Sequence, residues 1–283
     1  MSEVYNKDEL YKVQRLELVV LKLIDDICRK ENIDYFVEGG TALGAIRHGG
    51  FIPWDDDIDV GMTRENYEKF IRIAPKKLPA GFYLQSPYYQ ANCPYPYSKI
   101  KIDGTKFVEY STRNTKCHQG VYVDIFPFDD YSDDDVVGSK QHKKIQFLVR
   151  IFNLRQKPDL TYEPTTLGGK YKSFVHRIIH YIFKLIPYKL LQKDLDKKMT
   201  AFNYSQQKGY GCYFEPKYKA SYILKEDMYP LIQKKFEDMD VYIMNNYDAY
   251  LKNEYGDYMK LPPESERVGH KPYIIDLTNY NFE

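Results

Sequence analysis

The chain has 283 residues, 43% of them hydrophobic, enough to bury a sizeable core in one large domain. Its 41 Lys and Arg against 40 Asp and Glu leave a formal net charge of +1, which argues against nucleic acid as a partner and makes any electrostatic specialisation local. Cys28, Cys93, Cys117 and Cys212 form no CxxC pair, which speaks for reduced thiols in a cytosol, and neither an apolar leader nor a bilayer-length apolar run occurs.

From Asn6 to Glu31, apolar residues recur at spacings of three and four, and Asn6 with Glu9 resembles a capping box, so a long amphipathic helix is predicted. Asp34 to Val37 reads as a short strand that delivers the chain into the Gly39-Gly40 turn, after which Thr41 is expected to cap a short helix through Arg47. The run Asp57 to Met62 alternates polar and apolar, the pattern of a strand with one buried face. Thr63 then starts a helix to about Ala74. Strands are expected at Phe82–Gln85, Tyr97–Ile102, Lys106–Tyr110 and Val121–Ile125, so the first half reads as a mixed sheet flanked by helices. From Ser132 the acids of a first turn precede Lys140, Lys143, Lys144 and Arg150, an order that suits a helix macrodipole. Lys170 to Lys198 is apolar, aromatic and basic, and Pro187 is expected to split it into two helices. Short strands and a last helix from about Asn245 to Gly256 complete the chain.

The chemistry concentrates in two neighbouring places. Residues i and i+2 of a strand share a face, so Asp57 and Asp59 aim two carboxylates at one point while Ile58 and Val60 face the core. That suits a hard divalent cation, which prefers a few carboxylates completed by phosphate oxygens and water. The Gly39-Gly40-Thr41 turn, opening a helix, lets backbone N–H groups approach a phosphate. Asp124 stands in an otherwise apolar strand, where a charge is costly unless paired or metal-bound. It is expected as the third carboxylate, as metal ligand or as proton acceptor, unless it is a satisfied helix-cap or turn carboxylate. Arg47 and His48 lie between the glycine turn and the acidic strand and Lys99 on a later strand, so each is a candidate for a phosphate oxygen, although a surface role explains each equally well.

The stretch from Glu38 to Met62, EGGTALGAIRHGGFIPWDDDIDVGM, resembles the signature of the LicD family, shared with fukutin-related proteins. Val-Asp-Ile-Phe-Pro127 and the string from Tyr255 to Pro263 are similar to that family as well. The resemblance implies a nucleotidyltransferase-like α/β (α+β) fold, a mixed sheet core flanked by helices in a single domain over residues 1–283, with a helical insertion at 130–210. It further implies that Asp57, Asp59 and Asp124 bind Mg2+ or Mn2+ and that Gly39, Gly40 and Thr41 hold a CDP-linked donor. The basic residues Arg267 and His270 match the family's ending and are expected to close over the site. The cysteine-rich zinc insertion of animal relatives has no counterpart, so zinc is not expected.

On this reading the protein transfers a phospho-alcohol group, phosphocholine from CDP-choline first among them, to a sugar hydroxyl of a bacterial cell-surface glycan on a lipid-linked acceptor, releasing CMP. Transfer of the nucleotidyl group itself and a non-catalytic role in membrane-associated assembly are the alternatives. A quaternary ammonium would seek aromatic faces, for which Tyr88, Tyr89, Tyr95 and Tyr97 are candidates, unless those rings merely pack. Two readings are open for the basic-aromatic helices: peripheral contact with the cytoplasmic face of the membrane, or packing of their apolar stripe on the core.

Overall fold

A computed structural model describes residues 6–269, 272–278 and 280. In chain order the elements are α1 (Lys7–Glu31), β1 (Phe36–Val37), α2 (Gly39–Arg47), β2 (Asp59–Thr63), α3 (Arg64–Lys77), β3 (Phe82–Gln85), β4 (Ser98–Ile102), β5 (Lys106–Val108) and β6 (Tyr122–Tyr131). Then follow α4 (Asp135–Gln156), α5 (Leu167–Phe183), α6 (Tyr188–Met199), β7 (Gly209–Gly211), β8 (Ile223–Leu224), α7 (Lys225–Met228), β9 (Ile232–Phe236), β10 (Met239–Ile243), α8 (Tyr247–Tyr255) and β11 (Ile274–Asp276). The fold is mixed α/β, as the pattern of elements predicts.

The main sheet runs β1-β2-β6-β4-β3. β2 pairs parallel with β6, and the other neighbours along this path are antiparallel. Period-two alternation makes the sheet two-faced. Val60, Met62, Ile100, Val123 and Ile125 are buried with Val13, Leu16, Val20 and Ile24 of α1 in one apolar cluster. Burying each such side chain stabilises the fold by about 1.5–3 kcal/mol. Asn6 caps α1 by accepting from the Asp8 N–H at 3.1 Å, so the charged first turn starts where the sequence places it.

β6 is longer than the alternation suggested. It pairs with β4 through Tyr122–Ile125 and with β7 through Asp129–Tyr131, and Pro127 falls in the gap between these two ladders, where a missing N–H breaks neither. The acids that follow are carried by distant partners. Asp129 receives two bonds from Arg64 of α3, at 2.8 and 2.5 Å, and one from Asn203 at 2.6 Å.

Asp134 caps α4 by accepting from the N–H groups of Val136 and Val137. Pro187 separates α5 from α6, as expected. Packing of the apolar stripe describes α6, which buries Tyr188, Leu191, Leu195 and Met199, but not α5. The buried residues of α5 are Ser173 and His180, whereas Leu167, Tyr171, Phe174, Ile178, Tyr181 and Ile182 are exposed.

Candidate functional site

The Gly-Gly turn and the acidic run meet. α2 begins at Gly39, whose φ of +52° lies in the left-handed region that favours glycine. A Cβ on Gly39 would only touch Asp59 Oδ2, at 3.5 Å, whereas one on Gly40 would come within 2.8 Å of Asp55 Oδ2, so Gly40 makes room for a carboxylate. This corrects two expectations. The Gly39 N–H is not offered to an anion, because it donates to the Tyr250 hydroxyl at 3.1 Å. Thr41 does not cap the helix either. It is buried within the first turn, and its hydroxyl accepts from the Asp59 N–H at 2.8 Å, tying turn to strand. Gln14 of α1 braces the acidic loop by donating to the Asp55 carbonyl at 2.8 Å.

β2 starts at Asp59, with Asp57 just before it. The strand registers then assemble a polar row. Asp59 is opposite Asp124, Asp124 is opposite Lys99, and Lys99 is opposite Gln85, across β2, β6, β4 and β3. Paired residues share a face, so these side chains lie side by side opposite the apolar core. Lys99 is 1% exposed. Its ammonium approaches Asp124 Oδ1 at 2.8 Å as an ion pair and donates a hydrogen bond to Oδ2 at 3.1 Å.

Burial and mutual repulsion dominate the electrostatics. Burial, then Asp57 and Asp124, raises the Asp59 carboxyl well above the usual carboxylate range. Burial pushes Asp124 up to about 6 against the pull of Lys99, and Asp57 adds to the rise. Glu17 of α1 is raised in the same way, first by burial and then by Asp57, Asp56 and Asp55. Such a concentration of buried carboxylates favours a cation, and an all-oxygen donor set suits a hard divalent ion. By donor chemistry Asp57, Asp59 and Asp124 therefore fit magnesium or manganese, although no three His, Cys, Asp or Glu side chains among the described residues are already gathered as a metal-ligand set.

The row opens into a cleft of about 1080 Å³. Asp57 and Asp124 line one part of it, with Tyr97, Lys99, Glu109 and Tyr122 beside them. The Lys99 ammonium lies 3.4 Å from the Tyr122 ring centroid, 3.9 Å from that of Tyr95 and 5.5 Å from that of Tyr97. The aromatic box predicted for a choline group is thus filled, in part, by the protein's own cation. Tyr88 and Tyr89 do not join it. The Tyr88 hydroxyl donates to Asp196 at 2.8 Å and that of Tyr89 to the Ile71 carbonyl at 3.1 Å.

Glu109 was not singled out from the sequence. Burial alone would raise its carboxyl, but Lys157, Lys99, a 2.7 Å hydrogen bond from Tyr95 and Lys101 outweigh it and hold it at about 2. Lys101, two residues beyond Lys99 on the same face, is lowered to about 8 by burial and by Lys99. The local signal for Lys101 was the alternation of Lys with Ile in β4. Another wall comes from the C-terminal segment, where β11 pairs antiparallel with β5 and Tyr273 meets Tyr110 edge-on at 5.1 Å.

Arg47 and His48 are not brought to the cleft. Arg47 donates to the Tyr258 carbonyl at 2.8 Å and to His48 Nε2 at 3.0 Å. Arg267 lies over the Trp54 ring at 5.5 Å, and a Cβ on Gly269 would meet the Trp54 carbonyl at 2.5 Å, so the C-terminal segment lies against the acidic loop. His270 lies outside the described residues.

Comparison with known proteins agrees with the motif. Residues 32–157 match the family model described as LicD/FKTN/FKRP, nucleotidyltransferase domain. The chain is similar to the lipopolysaccharide cholinephosphotransferase LicD of Haemophilus influenzae, 29% identical over 260 residues that cover 90% of this chain and 94% of that protein. A short match of 34 residues, 53% identical, links it to the human ribitol 5-phosphate transferase FKRP, covering 12% of this chain and 7% of that protein.

Proposed function

We propose, from the match of residues 32–157 to the LicD/FKTN/FKRP nucleotidyltransferase domain model, that the protein is a phosphotransferase that moves phosphocholine from CDP-choline, or the phospho-alcohol of another CDP-alcohol, onto a sugar hydroxyl of a cell-surface glycan. The observation that carries this reading is the row Asp59, Asp124, Lys99 on one sheet face beside the Gly39-Gly40 turn. A cleft of about 1080 Å³ suits a nucleotide donor together with a sugar.

A magnesium or manganese ion held by Asp57 and Asp59, with Asp124 alongside, would neutralise the donor pyrophosphate and the departing CMP. The chain's own groups do the rest by positioning and charge. Lys99 presents a fixed ammonium to phosphate oxygens. Asp124 takes the proton of the attacking hydroxyl. That oxygen bonds to the alcohol-bearing phosphorus, and the bond from this phosphorus to the bridging oxygen breaks with its electrons leaving on CMP. Tyr162 and Glu163, also on the cleft lining, suit a quaternary ammonium by their aromatic face and negative charge.

The test is incubation with CDP-choline, CDP-glycerol, CDP-ribitol or CDP-ethanolamine, magnesium and a lipid-linked oligosaccharide acceptor. CMP release with a phosphodiester-linked alcohol on the acceptor supports the reading. Nucleotide on the acceptor would instead identify nucleotidyl transfer, the second reading that the domain class favours. Failure of every CDP-alcohol to raise the melting temperature with magnesium present would refute donor binding altogether.

A further inference from the structure

An amphipathic helix ordinarily buries its apolar stripe and leaves its polar face in water. α5 half-buries one apolar row, Val175, Ile179 and Phe183, and leaves a second one in water. It docks on α4 and the loop beyond through polar groups: His180 Nδ1 meets the Leu154 carbonyl at 2.9 Å, His176 Nε2 meets that of Lys157 at 3.1 Å, and Arg177 pairs with Asp159 at 2.8 Å. Its outward face carries Leu167, Tyr171, Phe174, Ile178 and Tyr181 at helical spacing, with Leu167 87%, Phe174 62% and Ile178 46% exposed. Leu185 in the following turn and Leu190 on α6 are exposed as well. An apolar strip of this length facing water calls for an occupant.

The flanking charge identifies one. Residues 164–193 contain no Asp or Glu. They carry Lys170, Lys172, Lys184, Lys189 and Lys193, all exposed and none in an ion pair among the described residues. Exposed lysines around an apolar and aromatic stripe match an anionic bilayer surface, with lysines at the headgroups and Leu, Ile, Phe and Tyr at the acyl boundary. No helix among the described residues is long and apolar enough to cross a membrane, so α5 would lie in the plane of the interface.

We propose that α5, with the turn into α6, docks the protein on the surface of an anionic lipid membrane. The surface binds independently of what the cleft catalyses, but its position has a consequence. Thr161, Tyr162 and Glu163 line the cleft, and the stripe begins at Leu167, a few residues on. The docked protein therefore holds part of the cleft rim near the lipid headgroups.

Flotation with vesicles of phosphatidylcholine and phosphatidylglycerol, and with phosphatidylcholine alone, tests this on the full chain. The wild type is expected to float with the anionic vesicles at low salt, to be released at high salt and to remain behind with neutral ones. Phe174→Ser combined with Ile178→Ser, and separately Lys170→Glu combined with Lys184→Glu, should each cut the floated fraction about tenfold. These side chains are exposed, so the melting temperature and CMP release with a soluble acceptor should not change. Absence of flotation at low salt, or unchanged flotation of both variants, overturns the proposal. So does light scattering that finds a dimer dissolved by Phe174→Ser with Ile178→Ser, since the stripe would then belong to a second copy of the chain.

Discussion

Asp59 and Asp124 stand opposite each other where β2 pairs with β6, two carboxylates on one sheet face with their strands about 4.8 Å apart. Like charges at that spacing destabilise a sheet unless something positive is shared between them. Lys99 pairs with Asp124 from the other side, whereas Asp59 faces Asp57, Asp124 and Glu38. Asp59→Asn should therefore keep or raise the melting temperature while lowering turnover on the order of 10²-fold or more, the usual size of a lost electrostatic contribution. Turnover within a factor of two of wild type would remove Asp59 from the chemistry.

Lys99 makes a separate prediction, because its charge is held by groups of the site, Asp124 and the rings of Tyr95, Tyr97 and Tyr122. Removing one partner of a buried ion pair typically costs about 3–5 kcal/mol, since the other charge is left uncompensated. Lys99→Met is expected to lose stability of that order in a metal-free buffer. It should also gain more than the wild type from added magnesium or manganese, because Asp124 then lacks the ammonium paired with it. Melting curves with and without the ion read both effects. An equal ion-induced shift in variant and wild type would mean that Lys99 and the ion do not share Asp124.

The part of the site legible in the sequence is the part held by local rules. Period-two alternation put Asp59 and Val60 on opposite faces, and an acid amid Val123, Ile125 and Phe126 marked Asp124, because burial makes an isolated charge costly. What could not be read depends on partners far along the chain. Thr41 looks like a cap from its neighbours, yet the Asp59 N–H claims its hydroxyl. The strand expected at Val121–Ile125 runs on to Tyr131 as β6, because Arg64, 65 residues before Asp129, and Asn203, 74 residues after it, make Asp129 at home in a strand. Tyr95 and Tyr97 invited a ligand, but the cation on their faces is Lys99. For α5, periodicity reveals a stripe but not which way it faces. The contacts of His180 and Arg177 decide that.

The Arg64–Asp129 pair should be structural. The guanidinium and carboxylate are buried, joined by two hydrogen bonds, and tie α3 to the far half of β6. Asp129→Ala is expected to cost about 3–5 kcal/mol and to lower the melting temperature markedly, with no specific effect on donor binding in the fraction that remains folded. Denaturant unfolding measures the first and donor titration the second. A loss below about 1 kcal/mol would place this pair with weak surface ion pairs.

A second group of carboxylates lies behind the glycine turn and gives stability a pH dependence. Glu254 of α8 is pushed from its ordinary 4.5 to about 7, by burial first and then by Glu215, against hydrogen bonds from Tyr250 and Tyr255. Burial raises Glu38 and Glu215 in the same direction. A carboxyl with a raised folded pKa binds more protons in the folded state than in the unfolded one, so its favourable contribution is complete below 4.5 and is lost as pH rises towards 7. For Glu254 the loss amounts to roughly 3 kcal/mol. Glu254→Gln removes that titration, so the variant should match the wild type near pH 4.5 and exceed its stability above pH 7. Because the Tyr250 hydroxyl that bonds Glu254 also accepts from the Gly39 N–H, the variant additionally asks whether the charge helps to set the turn. Unfolding free energies measured across this range decide the matter, and parallel wild-type and variant curves would show that Glu254 ionises in the folded protein as it does in water.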